Sequence, residues 1–112
     1  MPLPNADRAV VDRRKLAEYC LSLAHPVGRH KAAVFRASLG LTAADADSLR
    51  DLLLAGARSA YATSGRADEH GQRYEMDITV VTPAGSAVVR AAWMVRAGED
   101  FPRLTTCFVQ PR

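Results

Sequence analysis

The most constraining feature of the sequence is the strict alternation of apolar and polar side chains in its C-terminal half. Over residues 73–80 the polar side chains alternate with four apolar ones: Tyr74, Met76, Ile78 and Val80. Because successive side chains of a strand point to opposite faces of a sheet, this period of two predicts a strand that is buried on one face. Residues 87–95 repeat the pattern after Pro83-Ala84-Gly85, a sequence typical of a turn. The two segments therefore predict an antiparallel hairpin.

A third strand is predicted over Leu104 to Val109, after a turn at residues 98–102. Residues 64–72 are polar and contain two glycines, which indicates a loop before the first strand. This gives three strands, and residues 9–11 could supply a fourth.

The N-terminal half has the spacing and end signals of helices. Asp12 can cap a first helix, and Gly40 can end a second that begins near Pro26. Thr42-Ala-Ala-Asp45 resembles a capping box and precedes a third helix. The buried faces expected for the first and third helices include Leu16, Tyr19, Cys20, Leu23, Leu49, Leu52, Leu53, Gly56, Ala60 and Tyr61. We predict an α+β fold, with two or three helices followed by an antiparallel meander of three to four strands, as one domain over residues 1–112.

Composition excludes several classes of protein. Hydrophobic residues make up 48% and charged residues 24%, close to the globular average, which excludes general disorder. No apolar run reaches the roughly 18 residues of a membrane-spanning helix, and the first residues lack the pattern of a secretory signal. We therefore expect a soluble, cytoplasmic protein without a membrane partner. Cys20 and Cys107 match no zinc spacing and are expected as buried free thiols, so we predict neither a metal site nor a cofactor.

The net charge of +3 is unevenly distributed along the chain. Residues 1–40 have seven basic and three acidic side chains, a balance of +4. The balance is −2 over residues 41–72 and +1 over residues 73–112. An N-terminal excess of positive charge suits a polyanionic partner.

The segment Gly28-Arg29-His30-Lys31 is the most informative about chemistry. On a helical wheel Lys31 falls inside an apolar arc with Val34 and Phe35, on the side expected to face the sheet, and His30 lies at its edge. An unpaired buried ammonium is costly, so the Lys31 stem extends across the core edge to solvent, or its ammonium pairs with Glu75 or Asp77, or Lys31 serves a site. In the last of these interpretations His30 and Lys31 bind an anion at the helix N-terminus.

The predicted strands supply companions for such a site. The candidate catalytic residues are His30, Lys31, Arg73, Thr105 and Thr106, and the candidate binding residues are Arg29, Arg90 and Arg96. Histidine can move a proton near neutral pH, and lysine and arginine can stabilise the charge of a phosphorane. His70, in the polar loop before the first strand, is an alternative to His30, and the sequence leaves open which of the two lies nearer the polar face of the sheet. These residue types suit RNA cleavage without a metal, although ordinary cross-strand ion pairs would explain the same sheet face.

Several blocks of the sequence resemble a small uncharacterised bacterial family. They are Leu3-Pro4-Asn5-Ala6, Lys15-Leu16-Ala17-Glu18-Tyr19, His25 to Phe35, Leu39-Gly40, Gly71-Gln72-Arg73-Tyr74 and Pro102 to Cys107. This resemblance implies a domain of unknown function that occurs alone and at the C-termini of toxin-like proteins. A looser resemblance is to the barnase–EndoU–colicin–RelE group of ribonuclease toxins, which place helices before a meander of usually four strands. It is an analogy of fold.

Three functional hypotheses follow. The first is a metal-independent endoribonuclease of a toxin–antitoxin or interbacterial system, with RNA as substrate and an acidic antitoxin or immunity protein as partner. The second is a non-catalytic binding module, itself an antitoxin, immunity or accessory protein, that uses the same basic face. The third is an accessory domain in which residues 28–31 form a buried polar network between helix and sheet.

Overall fold

Three helices precede four antiparallel strands in the computed structural model, which describes residues 1–111. Helix α1 is an α-helical turn over Arg13–Lys15 that continues as the π-helical segment Leu16–Cys20. The other helices are α2 (Arg29–Leu39) and α3 (Ala46–Ser59). The strands are β1 (Ala62–Asp68), β2 (Gly71–Thr82), β3 (Gly85–Arg96) and β4 (Pro102–Val109), paired in that order. The predicted α+β class, with helices followed by a meander, is confirmed.

The helix ends follow the signals in the sequence. The carboxylate of Asp12 accepts a hydrogen bond from the backbone N–H of Arg14 at 2.9 Å, as expected of a cap. Gly40 ends α2 with a φ of 67°, a conformation that favours glycine. Asp45 accepts from the backbone N–H of Thr42 at 2.9 Å in the predicted capping box before α3. Helix α2 begins at Arg29, later than predicted, because residues after Pro26 first form a turn.

The predicted loop over residues 64–72 is wrong, because most of it belongs to β1. Strand β1 pairs with β2 through contacts such as Thr63 with Glu75, and the register shifts between Ser64 and Ala67. All residues of β1 after Ala62 are exposed. An edge strand with both faces in water needs no apolar alternation, so its sequence is indistinguishable from that of a loop. Residues 9–11 contribute only a single bridge, between Val10 and Arg103.

The core lies between the helices and the inward faces of β2, β3 and β4. Trp93 and Phe35 are fully buried there. Helix α3 packs so close to β2 at Gly56 that an added Cβ would lie 2.5 Å from Ile78 Cδ1. Within residues 1–111 no helix is long and apolar enough to cross a membrane.

Three residues predicted in the buried helix faces are exposed instead. Leu23 lies beyond the end of α1, so the helical spacing no longer applies to it. Tyr61 is 75% exposed for the same reason, because α3 ends at Ser59. Leu52 lies at the edge of the buried stripe of α3 that contains Leu49 and Leu53.

Candidate active site

Strand β4 is bulged at Thr105, beside α1. In the pairing with β3, Leu104 lies opposite Trp93 and Thr106 lies opposite Ala92, which leaves Thr105 as the extra residue. The Thr105 hydroxyl donates to the backbone oxygen of Ala92 at 3.0 Å. A bulge redirects side chains and is common next to active sites. At this bulge Thr105 is exposed, whereas the hydroxyl oxygen of Thr106 is buried.

Two adjoining depressions share Lys15 and Thr105, and together we call them the Lys15–Thr105 groove. The first, about 680 Å³, is also lined by Asp12, Arg14, Glu18, Tyr19 and His25. The second, about 470 Å³, lies at the ends of β3 and β4 and is also lined by Glu69, His70, Met94, Arg96, Ala97, Arg103 and Leu104. The groove therefore joins basic, acidic, hydroxyl and imidazole side chains from α1 and its flanking residues, the β1–β2 turn and the sheet.

His25 has a structural role at one side of the groove. Its Nδ1 accepts hydrogen bonds from the backbone N–H groups of Val27 and Gly28, both at 3.0 Å. Its ring meets the ring of Tyr19 edge-on, with 4.6 Å between the centroids. Because its Nδ1 accepts both of these hydrogen bonds, His25 stabilises the turn before α2.

His70 lies on the other side of the groove, in the turn between β1 and β2. Two hydrogen bonds fix the backbone of His70. Its N–H donates to a carboxylate oxygen of Asp68 at 2.9 Å, and its carbonyl oxygen accepts from the backbone N–H of Ala97 at 3.0 Å. The imidazole is 69% exposed, with Nε2 3.6 Å from a carboxylate oxygen of Glu69. A fixed backbone with an accessible ring is suitable for proton transfer to a ligand.

The structure brings together only two of the site residues predicted from the sequence, Thr105 and Arg96, which line the same part of the groove. Arg73 instead donates to Asp68 at 2.9 Å. Arg90 makes a two-point contact with Asp77, its cross-strand neighbour, at 3.0 and 3.3 Å. These pairs correspond to the alternative of ordinary ion pairing on this face.

The guanidinium groups of Arg90 and Arg73 lower the pKa of the carboxylates that they contact. The hydrogen bond from Arg90 is the main reason that the pKa of Asp77 lies below its ordinary value. The hydrogen bond from Arg73, followed by that from the backbone N–H of His70, lowers the pKa of Asp68 in the same way. Both carboxylates therefore remain charged and paired in the folded state.

The residues Arg29, His30 and Lys31 are exposed on α2, and none of them lines the Lys15–Thr105 groove. The buried face of α2 is Ala32, Phe35 and Leu39. The predicted apolar arc is therefore right for Phe35, which is buried, and wrong for Val34 and Lys31, which are exposed. The hypothesis of a buried polar network over residues 28–31 is wrong for the same reason.

Lys31 extends to the sheet edge rather than into the core. Its ammonium lies 4.7 Å from the centre of the Phe108 ring, in a cation–π contact. Gly28 allows a close approach of the turn before α2 to α1, since an added Cβ would lie 2.5 Å from the carbonyl oxygen of Tyr19.

Two candidate residues of the groove, Lys15 and His70, are not among the site residues selected from the sequence. Lys15 follows two arginines at the start of a helix, which is unusual because the helix dipole disfavours positive charge there. This unusual charge at a helix start is the sequence signal that points to Lys15. His70 was an open alternative to His30, but its position beside Lys15 depends on the pairing of β1 with β2.

The predicted buried free thiols are confirmed for both cysteines. Cys20 ends α1, and Cys107 lies in β4 next to Thr106. Hydrogen bonding with the Cys107 thiol is the main reason that the pKa of Cys20 lies below its ordinary value. The same contact, together with burial, raises the pKa of Cys107.

Within residues 1–111 there is no cluster of three or more His, Cys, Asp or Glu side chains that could hold a metal ion. No curated protein matches the chain. A family model matches residues 2–111, which agrees with the resemblance to an uncharacterised domain family. The chain belongs to the family described as domain of unknown function DUF6883.

Proposed function

We propose that the protein is a metal-independent endoribonuclease, a cytoplasmic toxin of a toxin–antitoxin or interbacterial system. The observation that supports this proposal is the Lys15–Thr105 groove, which joins His70, Lys15, Thr105 and Arg96 on one accessible surface. Those four side chains supply a proton-transfer group, two cations and a hydroxyl, which are the chemical groups that RNA transesterification needs.

In the proposed reaction the ribose 2′-hydroxyl attacks the adjacent phosphorus. His70 takes the 2′-hydroxyl proton while water protonates the leaving 5′-oxygen, or His70 protonates that oxygen while water accepts the 2′-hydroxyl proton, because an imidazole near neutral pH can do either. Lys15 and Arg96 stabilise the additional negative charge of the phosphorane, and the Thr105 hydroxyl orients a phosphate oxygen. The products are a 2′,3′-cyclic phosphate and a free 5′-hydroxyl.

The strand count also supports the proposal. The barnase–EndoU–colicin–RelE group usually has four strands, and the sheet has four once β1 is included. This support is an analogy of fold, so the assignment depends on the groove.

Induced expression in bacteria tests the proposal, with total RNA examined on a gel. The wild type should arrest growth and produce discrete RNA fragments. His70→Gln should reduce cleavage about 100- to 10,000-fold, the usual contribution of a general acid or base. His30→Gln is the matched control, because His30 is exposed on α2 outside the groove. It also tests the sequence-based prediction that His30 is catalytic, in which case the two outcomes would be exchanged.

The exposed face of α2 favours the binding module as a second candidate. Arg29, Lys31 and Arg36 are exposed, and no ion pair joins them to an acidic side chain within residues 1–111. An exposed helix surface with unpaired basic side chains suits an acidic protein partner.

The binding module predicts a different result in the same cells. The wild type and both histidine variants would accumulate without growth arrest, and RNA would stay intact. An acidic protein should then co-purify with the wild type, and Arg29→Glu with Arg36→Glu should abolish its capture. Arg58→Glu, a charge reversal on the exposed side of α3, is the matched control.

A further inference from the structure

Tyr19 and His25 form an aromatic corner in the first depression of the Lys15–Thr105 groove. Their ring centroids are 4.6 Å apart, and the ring planes meet at 75°. Both side chains are partly exposed and line the depression, whose volume of about 680 Å³ lies within the usual range of small-ligand sites. A planar ligand that stacks on the Tyr19 ring would meet the His25 ring at its side. We call this feature the Tyr19–His25 corner.

The Tyr19–His25 corner is fixed on both sides. Tyr19 belongs to the π-helical segment Leu16–Cys20, in which the Leu21 N–H donates to the Leu16 carbonyl oxygen at 2.8 Å. Single π-helical turns are uncommon in proteins as a whole but frequent at functional sites. His25 is fixed by the two hydrogen bonds that its Nδ1 accepts from the turn before α2. Because both rings are positioned in advance, a ligand that binds between them pays little entropy for ordering them.

The same two hydrogen bonds determine which nitrogen of His25 can donate. Because Nδ1 is an acceptor, the neutral ring has its proton on Nε2. Within residues 1–111 this Nε2 makes no hydrogen bond. The imidazole of His25 therefore has an N–H donor to offer to a ligand in the depression. The carbonyl oxygens and ring nitrogens on the edges of nucleobases are matching acceptors.

The two depressions of the groove differ in charge. The first has two basic side chains and two acidic ones, including Glu18, so its charges balance. The second, around His70, has three basic side chains and one acidic one. A phosphate is attracted to the second depression, whereas the carboxylates of the first depression repel it. The first depression therefore suits the uncharged part of a nucleotide, which is its base.

On the basis of the proposed ribonuclease function, we propose that the Tyr19–His25 corner binds an unstacked nucleobase of the RNA substrate. The base belongs to a nucleotide next to the cleaved phosphodiester, stacks on Tyr19 and accepts a hydrogen bond from His25 Nε2. The phosphodiester itself lies at Lys15 and His70. In a duplex the bases are stacked and paired, so they cannot enter the corner. The substrate is therefore single-stranded RNA.

The test measures binding of a short, mixed-sequence oligonucleotide of 2′-O-methyl RNA, which lacks the attacking hydroxyl and is not cleaved. Fluorescence anisotropy compares the intact strand with strands in which one base at a time is replaced by an abasic site. At one position the missing base should weaken binding about 5- to 150-fold, the usual contribution of one stacked base. The same strand in a duplex should bind at least about tenfold more weakly. Equal affinity of all abasic strands, or of the duplex, would overturn the proposal.

Variants of Tyr19 test the position of the base. Tyr19→Leu removes the aromatic ring and keeps an apolar side chain, so the intact and abasic strands should bind it equally. Tyr19→Phe should retain the difference between the strands. Tyr61→Leu is the matched control, because Tyr61 is 75% exposed and does not line the groove. A difference that persists in a folded Tyr19→Leu would overturn the assignment, and the comparison in the wild type needs no variant.

Cleavage of unmodified RNA separates this proposal from the proposed function. Cleavage by a wild type that binds all abasic strands equally would overturn the Tyr19–His25 corner alone. A position-specific abasic effect without any cleavage would overturn the ribonuclease and support the corner as a nucleobase site.

Discussion

The ammonium of Lys15 donates a hydrogen bond to the backbone carbonyl oxygen of Leu104 at 3.3 Å. This contact joins α1 to the edge of β4 one residue before the bulge at Thr105. It also covers part of a strand edge that would otherwise be open, together with the bonds from Val10 to Pro102 and from Leu104 to Val10. Lys15 also lines both halves of the groove. Lys15 therefore connects the fold to the proposed chemistry.

Replacing Lys15 by methionine separates these two roles. Lys15→Met keeps most of the aliphatic stem and removes the charge, so we expect RNA cleavage to fall about 100- to 1,000-fold, as for loss of one stabilising group. The free energy of unfolding should fall by only about 1 kcal/mol, the value of one hydrogen bond. Rates on an RNA oligonucleotide and urea unfolding measure the two effects. Lys31→Met, which removes a charge outside the groove, should retain cleavage; equal losses in both variants would contradict the placement of the site.

The close contact at Gly28 predicts a large effect of a single methyl group. In Gly28→Ala the added Cβ would meet the Tyr19 carbonyl oxygen at 2.5 Å, so α1 and α2 must separate. We expect a loss of about 1–3 kcal/mol in the free energy of unfolding, typical of overpacking. Gly65→Ala is the control, because its Cβ would make only ordinary contacts, the shortest at 3.5 Å. Similar stabilities of the two variants in urea would show that the contact at Gly28 is not tight.

The burial of Trp93 makes a spectroscopic prediction. It is the only tryptophan of the chain and is fully buried. Its fluorescence should therefore be blue-shifted, and acrylamide should quench it weakly until the protein unfolds in guanidinium. A red-shifted, easily quenched emission from the folded protein would contradict the position of β3 at the centre of the core.

The ion pair between Asp77 and Arg90 predicts part of the acid sensitivity. The pKa of Asp77 is lowered from its ordinary value of 3.8, mainly by the hydrogen bond from Arg90. The unfolded state therefore takes up the proton more readily than the folded state. The stabilisation is complete above pH 3.8 and is lost as pH falls through the lower pKa of the folded state.

Arg90→Met should make the loss of stability below pH 3.8 smaller, because it removes the cause of the shift in the Asp77 pKa. Urea unfolding across this pH range, in wild type and variant, measures the difference. Arg58→Met controls for the change in net charge. An acid dependence that is identical in all three proteins would show that the pair contributes nothing measurable.

The parts of the fold that were predictable are those where burial or capping leaves a local pattern. The alternation around residues 73–95 predicted the central hairpin, and Gly40 predicted the end of α2. Strand β1 was not predicted, because a strand exposed on both faces shows no alternation of apolar and polar residues. The buried face of α2 was misassigned because Val34 is apolar yet lies on the outside of the helix.

The groove was harder to predict than the fold, because it is assembled from distant segments. Lys15 and Thr105 are brought together only when α1 packs against the edge of β4, and His70 joins them only through the β1–β2 turn. The sequence-based prediction selected His30 and Lys31, which stand out locally but lie outside the groove. Local spacing reports on which residues share an element, whereas this site depends on which elements become neighbours.

The most direct test of the proposed function is cleavage of a short RNA oligonucleotide by the purified protein in the presence of EDTA. The proposed mechanism predicts cleavage that persists in the chelator and leaves a 2′,3′-cyclic phosphate, because the nucleophile is the ribose hydroxyl. An oligonucleotide with one 2′-deoxy substitution at the cleaved position should resist cleavage there. The His70→Gln variant should cleave neither the unmodified nor the substituted oligonucleotide. Intact RNA with the folded wild type, or equal cleavage of the 2′-deoxy substrate, would contradict the account.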